Sequence, residues 1–502
     1  MSAAAETSGS TGRTFCPPES RIYVLVAAIL ASSMGFIDGS VVSIATPAIR
    51  SGLGASLGEA QWVSNGYMLF LGSLILLGGT AGDRFGLRRV FIGGIAVFVI
   101  ASLACTFAPT PELLIAARAI QGIGAAFMVP SSLAIIAKAY PRGERGKAIG
   151  TWAAASSLTT ILGPVIGGLV LTGFGEIGWR LVFAVNLPLG AIALALLFWK
   201  VPEDRPEGDR RLDVLGAVLV TPALGLIAFG LTATDGAGAP PMSHVALYCG
   251  IGIVLFAAFL FWETRARHPM MPLNFFSSLG FSGANALTFT LYFSLSAIGF
   301  YLPMTMIAGW GETPAVAAIA SLPLGIALTL LSSIAGRLSD RFGAGPPIAG
   351  GAALVAIAFA GLGLTVNLHN VWFVLVPLMT VMGIGMGFVV SPLSTAVMTA
   401  LSDADSGIAS GINNAVARVA GLIAVALMGS VAALVFQSAL GGAGQGLSFG
   451  LPASGLPAET EAARQAATDS AFAAIAFSTA VLALVSAVIA WLTLEKRLGG
   501  KP

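Results

Sequence analysis

The sequence predicts an all-α membrane protein of fourteen transmembrane helices: two pseudo-symmetric six-helix bundles with a two-helix hairpin inserted between them. Three observations predict it. Of 502 residues, 56% are hydrophobic and only 10% charged, whereas soluble domains carry about a quarter charged residues. A soluble core cannot absorb so much apolar surface without leaving large patches exposed. Second, fourteen apolar segments approach or exceed the roughly 20 residues that span a bilayer. Third, a polar turn occurs twice. GTAGDRFGLRR, Gly79 to Arg89, joins two apolar runs, and a weaker copy, GRLSDRFG, Gly336 to Gly343, follows 257 residues later with Asp340 answering Asp83.

The segments fall at 22–49, 60–81, 89–108, 112–138, 147–172, 179–200, 213–232, 243–262, 281–309, 314–335, 345–366, 371–399, 406–436 and 470–492. Residues 1–21 read as a polar cytoplasmic tail, 22–200 as the N-terminal bundle, and 201–268 as a linker with inserted segments 7 and 8. Residues 269–492 read as the C-terminal bundle and 493–502 as a second cytoplasmic tail. With the N-terminus inside, alternation places twenty of the 25 basic residues on the cytoplasmic side. Arg50, Arg180 and Arg464 fall outside, and Arg118 and Arg418 fall within segments. This matches the positive-inside rule, which a miscount by one segment would scramble. The expected location is a plasma or inner membrane.

The internal repeat extends beyond the turn. Gly122, Gly124 and Pro130 are answered by Gly383, Gly385 and Pro392; Glu144, Gly146 and Gly150 by Asp405, Gly407 and Gly411. Segments 1–6 therefore match segments 9–14. The hairpin follows a charged linker, PEDRPEGDRRLD, and the last outer loop, 437–469, is rich in Gly, Ala and Pro and expected to be mobile. A net charge of +2 gives no reason to expect a nucleic-acid partner. Cys16, Cys105 and Cys249 are widely spaced and expected to be inert thiols. His244, His268 and His369 lie apart, and no paired-carboxylate cluster is evident, so neither catalytic residues nor a metal site are expected.

Intramembrane charge costs roughly 2.5 kcal/mol or more on insertion scales and is usually functional. By the segment limits the buried charges are Asp38, Arg118 and Arg418, with Glu112 and Arg180 near interfaces. Burial penalises a carboxylate and a nearby cation opposes that penalty. Asp38, poised between the two, is the candidate proton-coupling group; the alternative is a permanent structural pair with an arginine. Arg118 has Gln121 on the same helix face, with Gly122, Ala125 and Ala126 small enough for close helix approach. Arg118 either tunes Asp38, holds substrate, or bonds backbone carbonyls. Arg418, after Asn413 and Asn414, reads as an interhelical hydrogen-bonding group rather than a second tuning charge.

LGPVIGG in segment 5 supplies Gly163, Pro164, Gly167 and Gly168. A helix that lacks one hydrogen bond and much bulk can pivot or seal, or simply pack closely. Aromatic and polar residues at Asn65, Tyr67, Phe289, Tyr292 and Phe293, with Gln121 and Asn413, are candidates for a substrate pocket. The alternative for each is core or lipid-facing packing.

Together these residues resemble the major facilitator superfamily, in its fourteen-helix drug:proton antiporter branch, over nearly the whole chain. The loop motif is carried by Gly79, Asp83, Arg84, Gly86, Arg88 and Arg89, with Ala81 where leucine is usual. The segment 4 motif is carried by Leu114, Arg118, Gln121, Gly122, Gly124, Ala125 and Ala126. The antiporter motif is carried by Gly163, Pro164, Gly167 and Gly168, with Thr159 in place of its first glycine. The first-helix motif is carried by Asp38, Val42, Ala45 and Pro47, with Ser40 for threonine; WRLVFAVNLPLG, Trp179 to Gly190, is also similar. The resemblance implies proton-driven export of small lipophilic compounds from the bilayer or cytoplasm, with a proton gradient and no cofactor. It also allows a periplasmic adaptor in a host with two membranes. It implies gating roles for the loop residues and for their counterparts Asp340 and Arg341, with Asp83 latching the start of segment 13 near Ser406. Because Asp38 is the one clearly buried acid by these limits, neutral or monocationic substrates are expected. An importer, or an exporter of one dedicated metabolite, is the alternative.

Overall fold

The computed structural model describes residues 14–204, 206, 212–232, 240–402, 405–441, 446–453 and 455–495. Fourteen helices are long and apolar enough to cross a membrane. They are α1 Pro18–Leu53, α2 Leu57–Phe85, α3 Leu87–Phe107, α4 Pro111–Ala139, α5 Arg142–Phe174, α6 Gly178–Lys200, α7 Val214–Leu231, α8 Met242–Arg265, α9 Leu279–Gly309, α10 Pro314–Phe342, α11 Gly345–Leu368, α12 Val371–Thr399, α13 Ser406–Leu440 and α14 Ala458–Thr493. An even number of crossings leaves both ends of the helical array on one side, the basic face. The tails 1–13 and 496–502, most of the linker, and Asp403 lie outside the described residues.

The helices start where the sequence satisfies their free amides. Ser56 and Glu59 form a reciprocal capping box on α2, Thr110 caps α4 ahead of Pro111, and Thr313 caps α10 ahead of Pro314. Such caps remove orphan donors, and proline is tolerated in a first turn. α14 begins twelve residues earlier than the sequence predicts, because Glu459 and Glu461 favour a helix N-terminus in the alanine-rich run that follows. The last outer loop is correspondingly shorter. It is also packed in part, since Phe449 is buried and its carbonyl accepts from Arg50 Nη1; residues 442–445 and 454 lie outside the described residues.

The internal repeat is a repeat of packing. α2 and α3 both lie against α4, and α10 and α11 both lie against α12. Glycine makes these approaches possible. A Cβ on Gly122 would stand 2.5 Å from the Tyr67 carbonyl oxygen, and one on Gly383 would stand 2.6 Å from that of Leu324. Likewise a Cβ on Gly124 would stand 2.6 Å from Phe98 N, and one on Gly385 would stand 2.6 Å from the Gly351 oxygen. Any side chain there would force the helices apart.

The two bundles meet along two equivalent seams, α2 with α13 and α5 with α10, and α1 also touches α9. The inserted pair α7–α8 breaks the equivalence, because α7 lies across the first seam. Thr221 donates to Ser73 Oγ of α2 at 3.0 Å, and Ser430 of α13 donates to the Leu231 carbonyl at 2.5 Å.

The repeated turn has a structural job. Gly86 adopts φ 94°, a region open chiefly to glycine, and ends α2. Linker residue Asp204 then caps α3, accepting from Leu87 N and Arg88 N at 2.9 Å each and pairing with Lys138 at 3.1 Å. Arg88 donates to the Leu197 and Phe198 carbonyls at the end of α6, and Arg89 pairs with Glu203. Asp204→Ala should therefore leave two orphan amides and lower stability by about 1–2 kcal/mol. The check is the thermal unfolding midpoint of purified protein, with Asp204→Asn recovering part of the loss.

Candidate functional site

Between the bundles lies a cavity of about 470 Å³, within the range of small-molecule sites. Ser40, Ser43, Tyr67, Met68 and Pro164 line it on one side. Ser296, Phe300, Met306, Met379, Met382 and Met386 line it on the other. Among the described residues Arg118 is the one charged side chain on its wall.

Arg118 and Asp38 are each 1% exposed and bonded to each other at 2.5 Å. Helix spacing puts Gln121 one turn from Arg118, and its amide closes a triangle. Gln121 Oε1 accepts from Arg118 Nη1 at 2.6 Å, while its Nε2 donates to Asp38 Oδ1 at 3.0 Å. Gln121 is in turn fixed by Ser102, which also accepts from Asn186. Arg118 Nε donates to the Val63 carbonyl at 3.0 Å, and the guanidinium stacks 4.4 Å from the Tyr67 ring and 5.6 Å from the Phe183 ring. Asp38 thus lies behind Arg118, reachable from the cavity only past it.

Hydrogen bonds join the bundles in the half away from the basic face. Gln61 donates to Tyr301 and to the Val425 and Ala426 carbonyls. Arg50 reaches Ser448 and Phe449, and Ala315 N donates to Thr172 Oγ1 at 3.0 Å. The LGPVIGG stripe forms the adjoining seal: Gly163 and Gly167 pack on α1, Gly168 packs on Pro314 and Ala318 of α10, and Pro164 lines the cavity. On the basic face Gly146, Gly150 and Gly407 have no atom within 4 Å of where a Cβ would stand. The cavity is sealed from the opposite face.

The sequence-based expectations divide. Asp38, Arg118 and Gln121 come together, and Tyr67 lines the cavity. The other proposed pocket residues do not line it. Phe289 is exposed, Phe293 is packed in the C-terminal core, and Tyr292 sits one helical turn below the lining residues Leu295 and Ser296. Asn413 is engaged with Asn285 and Thr288. Asn65 is fully buried, and neither its amide nitrogen nor its oxygen has a partner. Among the loop residues, Gly79 faces open space, Arg84 lies over its neighbour Phe85, and Arg341 lies over Phe342; Asp340 is exposed on the basic face. Asp83 has no hydrogen bond or ion pair among the described residues, so the latch to α13 is not formed in this state. Arg418, expected to bond between helices, makes no such bond, and its Nε is buried without a partner. Asp38 is not the one buried acid, since Asp204, Asp213, Glu263 and Asp469 are buried too. Asp204, Asp213 and Glu263 lie in the linker or near helix ends, and Asp469 lies three turns into α14, bonded to Trp310 and His369; Asp38 alone lies beside the cavity.

Sequence reading missed Ser102 and Asn186, though a polar residue two before Pro188 inside an apolar run was a signal. It also missed the methionines of α12. Met379 and Met382 stand 261 residues after Arg118 and Gln121, the offset of the glycine repeat, and both line the cavity. One half contributes the buried ion pair and the other a soft apolar wall. Arg118→Ala should leave an uncompensated buried carboxylate and destabilise the protein by about 3–5 kcal/mol. Adding Asp38→Asn should restore a large part of that loss, measured as unfolding midpoints in a double-mutant cycle.

The model of the Major Facilitator Superfamily matches residues 28–425. A methylenomycin A resistance protein of Bacillus subtilis is 32% identical over 88% of this chain and 92% of its own. The multidrug resistance protein Stp of Mycobacterium tuberculosis is 31% identical over 84% of this chain and 77% of its own. A bacterial homologue of the human lysosomal transporter Spinster, solved inward-facing and unoccupied, superposes with a TM-score of 0.68 at 17% identity, covering 95% of this chain and 97% of its own.

Proposed function

Because the chain belongs to the Major Facilitator Superfamily, among its drug and antibiotic resistance exporters, we propose that it exports small lipophilic compounds in exchange for protons by alternating access. The observation that carries this reading is the buried Asp38–Arg118 pair behind a cavity sealed on one face. The basic face is taken as cytoplasmic, from the positive-inside asymmetry, so this conformation is inward-facing. The membrane is the plasma or inner membrane.

In this reading the compound enters from the cytoplasm or inner leaflet with Asp38 ionised and held by Arg118. Outward opening breaks the bonds of Gln61, Arg50 and Thr172 and gives Asp38 access to the more acidic side. A proton taken there on a carboxylate oxygen displaces the Arg118 bond, frees the guanidinium into the cavity wall and favours release. The protonated carrier returns, and Arg118 reclaims the carboxylate as the proton leaves inward. No cofactor takes part.

One proton suffices for a useful gradient. A potential of 100 mV contributes about 2.3 kcal/mol per charge and one pH unit about 1.4. Together they support a gradient of a few hundredfold for a neutral compound. Exporting a monocation cancels the electrical contribution, and a dication opposes it outright. The cavity adds to this: a cation meets Arg118 on the wall and no carboxylate that is not already engaged.

The test uses purified protein in liposomes with an imposed pH gradient and a panel of lipophilic dyes and drugs. Compound-induced proton movement is expected in wild type and lost in Asp38→Asn. Persistence of that movement in the variant would remove Asp38 from the coupling role. A panel that moves no protons in wild type would replace broad specificity with one dedicated metabolite. The loop is tested separately. Asp83→Asn is expected to raise the inward-open fraction, read by crosslinking across the basic face, because the latch belongs to the opposite state; an unchanged fraction sinks the latch.

A further inference from the structure

Four arginines within or at the ends of the membrane helices have defined partners. Arg118 holds Asp38. Arg180 donates to the Thr106 and Ala108 carbonyls at the end of α3, and Arg464 donates to the Ala308 and Gly309 carbonyls at the end of α9. Arg50 holds the last outer loop. Arg418 is different. It lies a third of the way along α13, partly buried, with no hydrogen bond and no ion pair among the described residues and with Nε buried and unpartnered. Guanidinium does not give up its proton in proteins, and a charge at membrane depth without a partner is costly. Water in an open cavity offsets part of that cost; a bound anion offsets more.

The Arg418 backbone is packed at the α2–α13 seam. Gly72 of α2 faces Arg418, and a Cβ there would stand 3.0 Å from the arginine's own. One turn further along α13, Gly421 packs against Met68 and Ser296, which line the cavity. Arg418 therefore lies one turn toward the basic side of a residue that packs on the cavity wall, without itself lining the cavity. One turn nearer the basic face on the same helix face, Asn414 is exposed and has no hydrogen bond among the described residues. Tyr67 and Tyr292 are within electrostatic reach of the guanidinium. No carboxylate joins this group: Asp38 is held by Arg118 and Gln121, and the Asn413 amide is engaged with α9.

We propose that Arg418, assisted by Asn414, is the binding point for an anionic oxygen, a carboxylate or phenolate, on the transported lipophilic compound, whose apolar body occupies the methionine-lined cavity. This rests on the exporter reading and names the substrate class within it: amphiphilic organic acids. Such a substrate also suits the driving force, since an inside-negative potential aids the exit of an anion.

The test compares one fluorescent amphiphile in two forms, dansyl-aminoundecanoic acid and its methyl ester, binding to full-length protein in lipid nanodiscs at neutral pH. A neutral headgroup composition keeps both forms free of lipid charge. Wild type is expected to bind the acid about tenfold or more tightly than the ester, the worth of one charge-assisted contact. Arg418→Gln is expected to bring the ratio of the two dissociation constants close to one. Arg418→Lys should retain an intermediate ratio, because it keeps the charge without the planar fork. Equal binding of acid and ester by wild type overturns the proposal without any variant, so a misfolded Arg418→Gln does not shield it. A ratio unchanged in a folded Arg418→Gln overturns it as well. Failure of the exporter reading is separate: neither form, nor any panel compound, would then move protons in liposomes, whatever the nanodisc ratio.

Discussion

The structure depends on one buried ion pair. Removing two charges from water costs several kcal/mol each, and mutual attraction offsets this only when the remaining hydrogen-bonding capacity is met. Here it is met on several sides. Asp38 accepts from Arg118 and Gln121; Arg118 also reaches the Val63 carbonyl and lies over Tyr67; Gln121 is held by Ser102. The pair is reached by α1, α2, α3 and α4 together, so its survival requires those helices to stay in register. The glycines serve that requirement. Gly122, next to Gln121, lets α4 touch α2 at Tyr67, the approach that brings the guanidinium to Val63.

The same close packing recurs in the C-terminal bundle without the charge. Gly383 and Gly385 repeat the contacts of Gly122 and Gly124, while Met379 and Met382 stand where Arg118 and Gln121 stand in the first half. Duplication kept the scaffold, and the two copies diverged at the cavity wall. Polar groups stand behind one wall and soft, adaptable side chains form the other, the division that the proposed exchange of protons for lipophilic compounds calls for.

Much of this was legible in the sequence. Fourteen segments, the repeat and the Asp38, Arg118, Gln121 trio follow from length, periodicity and the cost of membrane charge, which are local or statistical properties. What was not legible depends on rotation of a helix about its axis. Phe289, Tyr292 and Phe293 share one helix with Ser296 and Phe300, yet only the latter two line the cavity. Asp204, Asp213, Glu263 and Asp469 were left out of the buried charges because the loops and neighbouring helices that cover them are distant in sequence; Asp469 is held by Trp310 and His369. Arg418 was read by analogy with Asn413 beside it. The asparagine found partners on α9 and the arginine did not, a difference of five residues that composition cannot resolve.

The hairpin α7–α8 turns a symmetric carrier into a handed one. Two seams related by the pseudo-twofold would give lipid-dissolved molecules two equivalent doorways. α7 is bonded across the α2–α13 seam, on both sides of it, while among the described residues its mate between α5 and α10 carries no such strap. A molecule diffusing in the leaflet meets one seam covered by a third helix and one closed only by the direct packing of α5 on α10, with its Ala315–Thr172 bond, and the glycine-rich stripe of α5 stands at the latter. For the proposed entry from the inner leaflet, that leaves the α5–α10 seam as the one without a third helix laid over it.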